Sequence, residues 1–204
     1  MDADVKTESY RQQQAAQTRA RIADAARRLF GTDGYNATSI AAIASEAGVA
    51  VRTVYAAYGT KREIISAICE RWLADAGARE LAGAVLAEPI PRQRLRAAAG
   101  WLTNLYSAGF DVVLILDAAM DSDAETRELL RAKLAGRNQV MDMMIASLRD
   151  GADGDSTIPV ERLQTVFRAY AAPGFYDELV IQSHWSATEF TDFVAEALER
   201  IAFG

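Results

Sequence analysis

Residues 38–61, TSIAAIASEAGVAVRTVYAAYGTK, constrain this chain more than any other stretch. They fit two short helices joined by a tight turn. Ser39 can cap the first helix by accepting a bond from an unpaired N–H at its start. Ile40, Ile43, Ala44 and Ala47 then share one helical face, with Ala44 small where a crossing helix must come close. Gly48 follows, where a sharp turn calls for positive φ. Val49 and Val54 supply the apolar side of the second helix. Helix, Gly turn, helix is the spacing of a helix-turn-helix, whose second helix enters the major groove of DNA.

The other side of that second helix suits the task. Val51, Arg52, Thr53 and Ala56 point away from Val49 and Val54. Arg52 can donate two bonds to guanine, and Val51, Ala56 and the Thr53 methyl can touch a thymine methyl. Tyr55, Tyr58 and Lys61 offer donors for phosphate oxygens, and Lys61 opens the next helix, where free N–H groups favour an anion. Thr38 and Ser39, at the mouth of the first helix, complete the candidate DNA contacts. An ordinary helical hairpin with a solvated Arg is the alternative.

Residues 18–65 resemble the N-terminal domain of TetR-family transcriptional regulators. The resemblance rests on Ala26, Leu29–Phe30, Gly34–Tyr35, Thr38–Ser39, Ile43–Ala44, Ala47–Gly48–Val49, Thr53–Val54–Tyr55, Tyr58 and Lys61, without a gap. It implies an all-α homodimer that binds operator DNA and releases it when a small ligand binds the C-terminal domain. Ala50 departs from the pattern, standing where the family often has Ser, so the second helix lacks a side-chain cap. Tyr58 stands where other aromatic residues are commoner.

Charge supports this division. Net charge is −6, yet residues 11–62 hold eight Lys and Arg against three Asp and Glu, which leaves −11 on the rest. A basic head on an acidic body gives an electrostatic footprint for nucleic acid. The chain divides into an arm, 1–17, a DNA-binding domain, 18–62, and a ligand-binding and dimerisation domain, 63–204. The polar arm lacks an apolar signal core, and no run of about 18 apolar residues suggests a membrane span. The single Cys69 excludes an internal disulfide and suits a reducing cytoplasm. It reads as a core residue.

The remaining helices follow from periodicity and caps. Helix one runs from near Thr18 to Thr32, with Ile22, Ala25, Ala26, Leu29 and Phe30 inward and Gly34 as its left-handed stop. Arg11, Arg19 and Arg21 could reach phosphate or a minor groove. Helix four starts after Thr60 and runs to about Gly77. Residues 77–91 read as a boundary by their Gly and Pro content. Helix five covers about Pro91–Ser107, and residues 110–120 read as a buried helix. Ser122 and Glu125 predict a capping box for helix seven, Ala124–Arg149, whose inner face would be Leu130, Leu134, Met141, Met144, Ile145 and Leu148. Residues 150–157 form an acidic glycine-rich loop without the full spacing of a Ca²⁺ loop. Helix eight, Pro159–Gln182, should break at Pro173–Gly174. Ser186 and Glu189 predict a capping box for the last helix.

An effector cavity is expected near Trp101, Leu105, Phe110, Met120, Met144, Phe167 and Tyr170, chosen by aromatic content and helical phase, although core packing explains each one alone. Asp117 ends a very apolar run and could meet a ligand cation, or be an exposed helix-end acid. Phe190, Phe193, Val194, Ala197, Leu198 and Ile201 form a clean amphipathic stripe. The resemblance makes that stripe, with Phe175 and Leu179, a dimer interface; the spacing alone allows internal packing equally. Two recognition helices reading a palindromic operator must sit about 34–36 Å apart, or a multiple of it, which calls for a dimer.

No enzyme signature appears: the lone His184 falls in a loop, and neither a nucleophile elbow nor a zinc or phosphate motif is present. No cofactor or metal site is expected. The leading expectation is a homodimeric repressor released by a small-molecule effector. The rivals are a ligand-independent DNA-binding regulator and a small-molecule binding protein that no longer reads DNA.

Overall fold

The computed structural model describes residues 2–150 and 158–204, so the expected loop at 150–157 lies almost wholly outside the described residues. Every regular element among the described residues is helical. In order they are α1 (Asp2–Thr32), α2 (Ile40–Glu46), α3 (Val51–Tyr58), α4 (Lys61–Asp75), α5 (Ala78–Ala87), α6 (Pro91–Ala119), α7 (Ala124–Ala146), α8 (Val160–Tyr170), α9 (Pro173–Tyr176) and α10 (Ala187–Phe203). A 3-10 turn, Ser147–Asp150, follows α7, and a π-helical stretch, Asp177–Gln182, follows α9. The chain forms two compact units. One comprises the chain up to Arg71 together with Leu114–Leu130; the other comprises Trp72–Val113 and Arg131–Gly204.

In the first unit α1 packs on both α2 and α3. Its inner stripe of Ile22, Ala23, Ala25, Ala26 and Phe30 is buried, and the three alanines let the crossing helices approach closely. Ile43, Ala44, Ala47, Val54, Ile64, Ile65 and Ile68 complete this core. Gly34 stops the helix at φ 85°, as the sequence implies. The helix starts at Asp2 instead of near Thr18, so residues 2–17 extend α1 where an irregular arm was expected. The segment is polar but contains no Pro or Gly, and nothing in it interrupts helical propagation. The unit closes on the α6–α7 corner. There the expected Ser122 cap gives way to its neighbour: Asp123 accepts from the Thr126 N–H at 2.9 Å, while Ser122 donates back to the Ala119 carbonyl. Both residues are good caps, and the register is settled by Thr126, whose hydroxyl also bonds Asp123 at 2.8 Å.

The second unit is built around α6. Leu95, Ala98, Ala99, Trp101, Leu102, Leu105, Tyr106 and Val112 are all buried. The helix is interrupted at Gly109 (φ 177°, ψ 61°), which divides it where two helices were expected. An 18-residue window of α6 is apolar enough to cross a membrane by composition, and 56% of that window is buried. Three polar side chains of the unit tie it together: Trp72 Nε1 donates to the Leu105 carbonyl (2.9 Å), Trp101 Nε1 to Ala78 (2.8 Å), and Asn104 Nδ2 to Ala76 (2.6 Å). The last two hold the start of α5, a helix inside the stretch expected to be a boundary. Gly77, Pro89 and Pro91 lie outside the helix, Gly83 is tolerated within it, and Val85 is its one buried anchor. Pro173 breaks the chain after α8 as expected and opens α9 from the first helical position. The Ser186–Glu189 capping box forms at α10, which packs on α8.

Leu134 was expected inward but is 40% exposed, on the outer side of α7. The inward positions of that helix are Leu130, Met141, Met144 and Ile145. Phe167 is fully buried, so Phe167→Ala should destabilise the protein by about 3–5 kcal/mol. Leu134→Ala should change stability by no more than about 0.5 kcal/mol. Urea midpoints of the two variants measure the difference.

Candidate nucleic-acid interface

Two helices of seven and eight residues, α2 and α3, meet across the Gly48 turn at 105°. Helices this short are not stable alone, so the turn and its supports must hold them. Ser39 caps α2 by accepting from the Ala42 N–H at 3.1 Å. Gly48 sits at φ 63°, and the Val49 N–H then bonds back to the Ala44 carbonyl at 2.9 Å. Arg21 of α1 donates to the Ala47 carbonyl at 2.6 Å and to Gly48 at 3.3 Å, which satisfies the end of α2. Arg28 binds Glu46 through Nε (3.0 Å) and Nη2 (2.9 Å). α3 has no side-chain cap at Ala50, in line with the sequence. Its C-terminus is held instead: Arg19 donates to the Ala57 carbonyl and lies over the Tyr58 ring at 4.2 Å.

The candidate contacts divide into two groups. Val51 (42% exposed), Arg52, Tyr55 (54% exposed) and Ala56 lie on the open face of α3, and Thr53 is half-buried beside them. Arg52 meets no acceptor among the described residues. Ser39 is exposed, with its hydroxyl engaged as the α2 cap. The other group faces inward. Thr38 is buried and donates to the Gly34 carbonyl at 2.8 Å. Tyr58 is buried and donates to the Arg19 carbonyl at 2.9 Å; burial raises its pKa. Lys61 Nζ donates to the carbonyls of Tyr35 (2.7 Å) and Thr38 (3.1 Å) and lies 4.3 Å from the centre of the Tyr35 ring. Desolvation pulls the Lys61 pKa down, against the opposing charge of Asp123. The sequence carried no signal for the Tyr58 and Lys61 bonds, which join residues 23 to 39 positions apart.

Lys61 also borders an open recess of about 590 Å³, lined by Tyr35, Thr60, Arg62 and residues 123–126. Arg62 pairs there with Glu125 and, at 3.8 Å, with Asp123. Both carboxylates are exposed and Arg62 is half-buried, so the pairs add little stability. The Tyr35 and Thr126 hydroxyls meet at 3.3 Å behind them.

The expected effector residues also separate. Asp117 is an exposed helix-end acid, and it lies with Met120 in the first unit. Trp101, Leu105, Phe110, Met144, Phe167 and Tyr170 belong to the second. Of these, Trp101, Leu105, Met144 and Phe167 are buried core residues, whereas Phe110 and Tyr170 are half-buried. In the stripe expected at the dimer interface, Phe190, Val194 and Leu198 are fully buried within the chain. Phe193 is 40% exposed, and Phe175, Leu179, Ala197 and Ile201 are half-buried. His184 is exposed at φ 59°, after the π-helical stretch.

Residues 22–68 match the model of bacterial regulatory proteins of the tetR family. No curated protein sequence matches the chain. Solved structures share its fold. The transcriptional regulator FadR from Bacillus subtilis, in complex with stearoyl-CoA, is 16% identical, with 88% of this chain and 96% of that one covered and a TM-score of 0.71. The fatty acid degradation regulator FadR from Bacillus halodurans is 17% identical, with 89% and 94% covered and a TM-score of 0.72. The TetR-family regulator PfmR from Thermus thermophilus is 19% identical, with 90% and 98% covered and a TM-score of 0.66. At these identities the likeness is one of fold.

Bonds from Thr126 hold the Asp123 carboxyl below its usual range. Its stabilising effect is therefore complete above the unfolded value near 3.8 and is lost as pH falls through the lower folded one. Asp123→Asn keeps a capping oxygen without the titration. Its urea midpoint should fall less steeply than that of the wild type below about pH 4.

Proposed function

We propose that this chain, which belongs to the TetR family of bacterial regulatory proteins, works as a homodimeric repressor that a small-molecule effector releases from a palindromic operator. The family is one of DNA-binding transcription regulators, not enzymes. The observation that carries the reading is the open face of α3, where Val51, Arg52, Tyr55 and Ala56 stand clear with half-buried Thr53 beside them, while Val54 and Tyr58 anchor the opposite side. Arg52 reads guanine, the small apolar groups meet thymine methyls, and Tyr55 and Ser39 reach phosphate.

Thr38, Tyr58 and Lys61 take a different part. Each is bonded to backbone carbonyls of its own domain, and together they set the angle at which α3 is offered. Dimerisation is supported by the apolar groups left open on the second unit, Phe193 and Ile181, with Phe175 and Trp185 beside them. Effector control is supported by the fold shared with a regulator solved with stearoyl-CoA. The site of action is the cytoplasm, where the DNA is. An effector coupling of about 1–3 kcal/mol would lower operator affinity roughly 5–150-fold.

Fluorescence anisotropy with DNA from upstream of the gene, at two salt concentrations, tests the assignment. Arg52→Ala should lose about 1–3 kcal/mol on the preferred sequence and bind other sequences almost unchanged. Lys61→Met should leave the salt dependence intact, because its charge faces carbonyls and not phosphate. Weak, sequence-blind binding by the wild type, unaffected by Arg52→Ala, would remove the reader role from α3.

A further inference from the structure

Four arginines of the second unit have evident partners. Arg92 pairs with Glu199, Arg96 with Asp192 and Arg168 with Asp142. Arg94 is buried, yet it donates to the carbonyls of Glu88 and Ser147. Arg137, on the inner stripe of α7, is different. Its Nε is buried and has no acceptor. Nη1 reaches the Tyr106 hydroxyl only at 3.4 Å and the Ala171 carbonyl only at 3.5 Å. Tyr106 already donates to that same carbonyl. Nη2 meets Asn138 Oδ1 at 3.2 Å. No carboxylate approaches this guanidinium among the described residues. A buried donor left unmatched on a cation is costly, and the deficit is one of negative charge.

What surrounds Arg137 points the same way. Tyr106 stacks against Phe110 (5.7 Å) and Tyr176 (5.0 Å), and Phe110 against Tyr176 (4.9 Å). Phe110 stays half-buried. The interruption of α6 at Gly109 adjoins Phe110, and the π-helical stretch begins just after Tyr176. π-Helical turns are frequent at functional sites.

We infer that Arg137 is the anchor for the anionic group of the effector, a carboxylate or phosphate carried on an apolar body that rests on the Tyr106–Phe110–Tyr176 rings. The inference rests on the effector reading for its consequence, though not for its geometry. The anion accepts from Nε and Nη1, and Tyr106 remains bonded to Ala171. A carboxylate and a phosphate share this chemistry, so the test must separate them.

Isothermal titration of the DNA-free protein with decanoate, decyl phosphate and decanol does so. At least one anion should bind about tenfold or more tighter than decanol, the effect of a charge-assisted bond. The better of the two identifies the headgroup. Arg137→Met should abolish the preference, and Arg137→Lys should keep part of it. Without ligand, Arg137→Met should melt at the same temperature as the wild type or higher, because it removes a buried unmatched N–H. Equal binding of decanol and both anions, no binding of any probe, or an anion preference that survives in Arg137→Met would each overturn the assignment. So would a marked fall in the melting temperature of unliganded Arg137→Met, which would make the arginine a structural strut. Arg137-dependent binding that leaves operator affinity unchanged would uphold the site and defeat the effector reading, so the two failures are distinct.

Discussion

The near-perpendicular crossing of α2 and α3 is the constraint on which the rest of the first unit depends. Neither helix has enough residues to hold itself, and the turn between them leaves backbone groups open at both ends. The molecule answers with local and distant supports. Ser39 closes the start of α2, Gly48 takes the positive φ, and Arg21 and Arg19 reach from α1 to the carbonyls at the two helix ends. The α1 stripe of Ile22, Ala25, Ala26 and Phe30 forms the floor beneath. Rigidity matters here because base-edge bonds need the reading helix held in a fixed pose.

This arrangement sorts the positive charges of the head by role. Arg19, Arg21 and Lys61 are committed to backbone oxygens, and Arg28 and Arg71 to Glu46 and Asp24. Arg52 stays open on α3. A local excess of positive charge thus does two things at once. It would draw a polyanion toward the head, and it braces α3 from within. The same contrast recurs in the second unit, where Arg94 is buried and satisfied while Arg137 is half-buried, with a buried Nε short of an acceptor.

The local features were legible because they depend on residues close in sequence. The Ser39 cap, the Gly48 turn, the Pro173 break and the Ser186–Glu189 box all follow from neighbours. The inward roles of Thr38, Tyr58 and Lys61 were not legible, because their partners are carbonyls, which every residue carries, and nothing in a sequence marks which one is near. The α7 cap was ambiguous between Ser122 and Asp123, and a contact to Thr126 decided it. The candidate effector site offers the sharper lesson. Arg137 lies seven residues after Leu130 and four before Met141, on the buried stripe of α7, where an apolar residue belongs. Attention to apolar positions selected Leu134, which faces outward, and passed over the charge that breaks the pattern.

The central claim is that the open face of α3 reads a specific sequence in a paired arrangement. Selection of binding sites from a random DNA library, run in parallel with wild type and Arg52→Ala, tests it most directly. The expected result is a palindromic motif with half-site centres about 34–36 Å apart, or a multiple of that, and a guanine preference in each half-site that disappears in Arg52→Ala. Enrichment of no motif, or of one whose guanine preference is the same in both proteins, would contradict it.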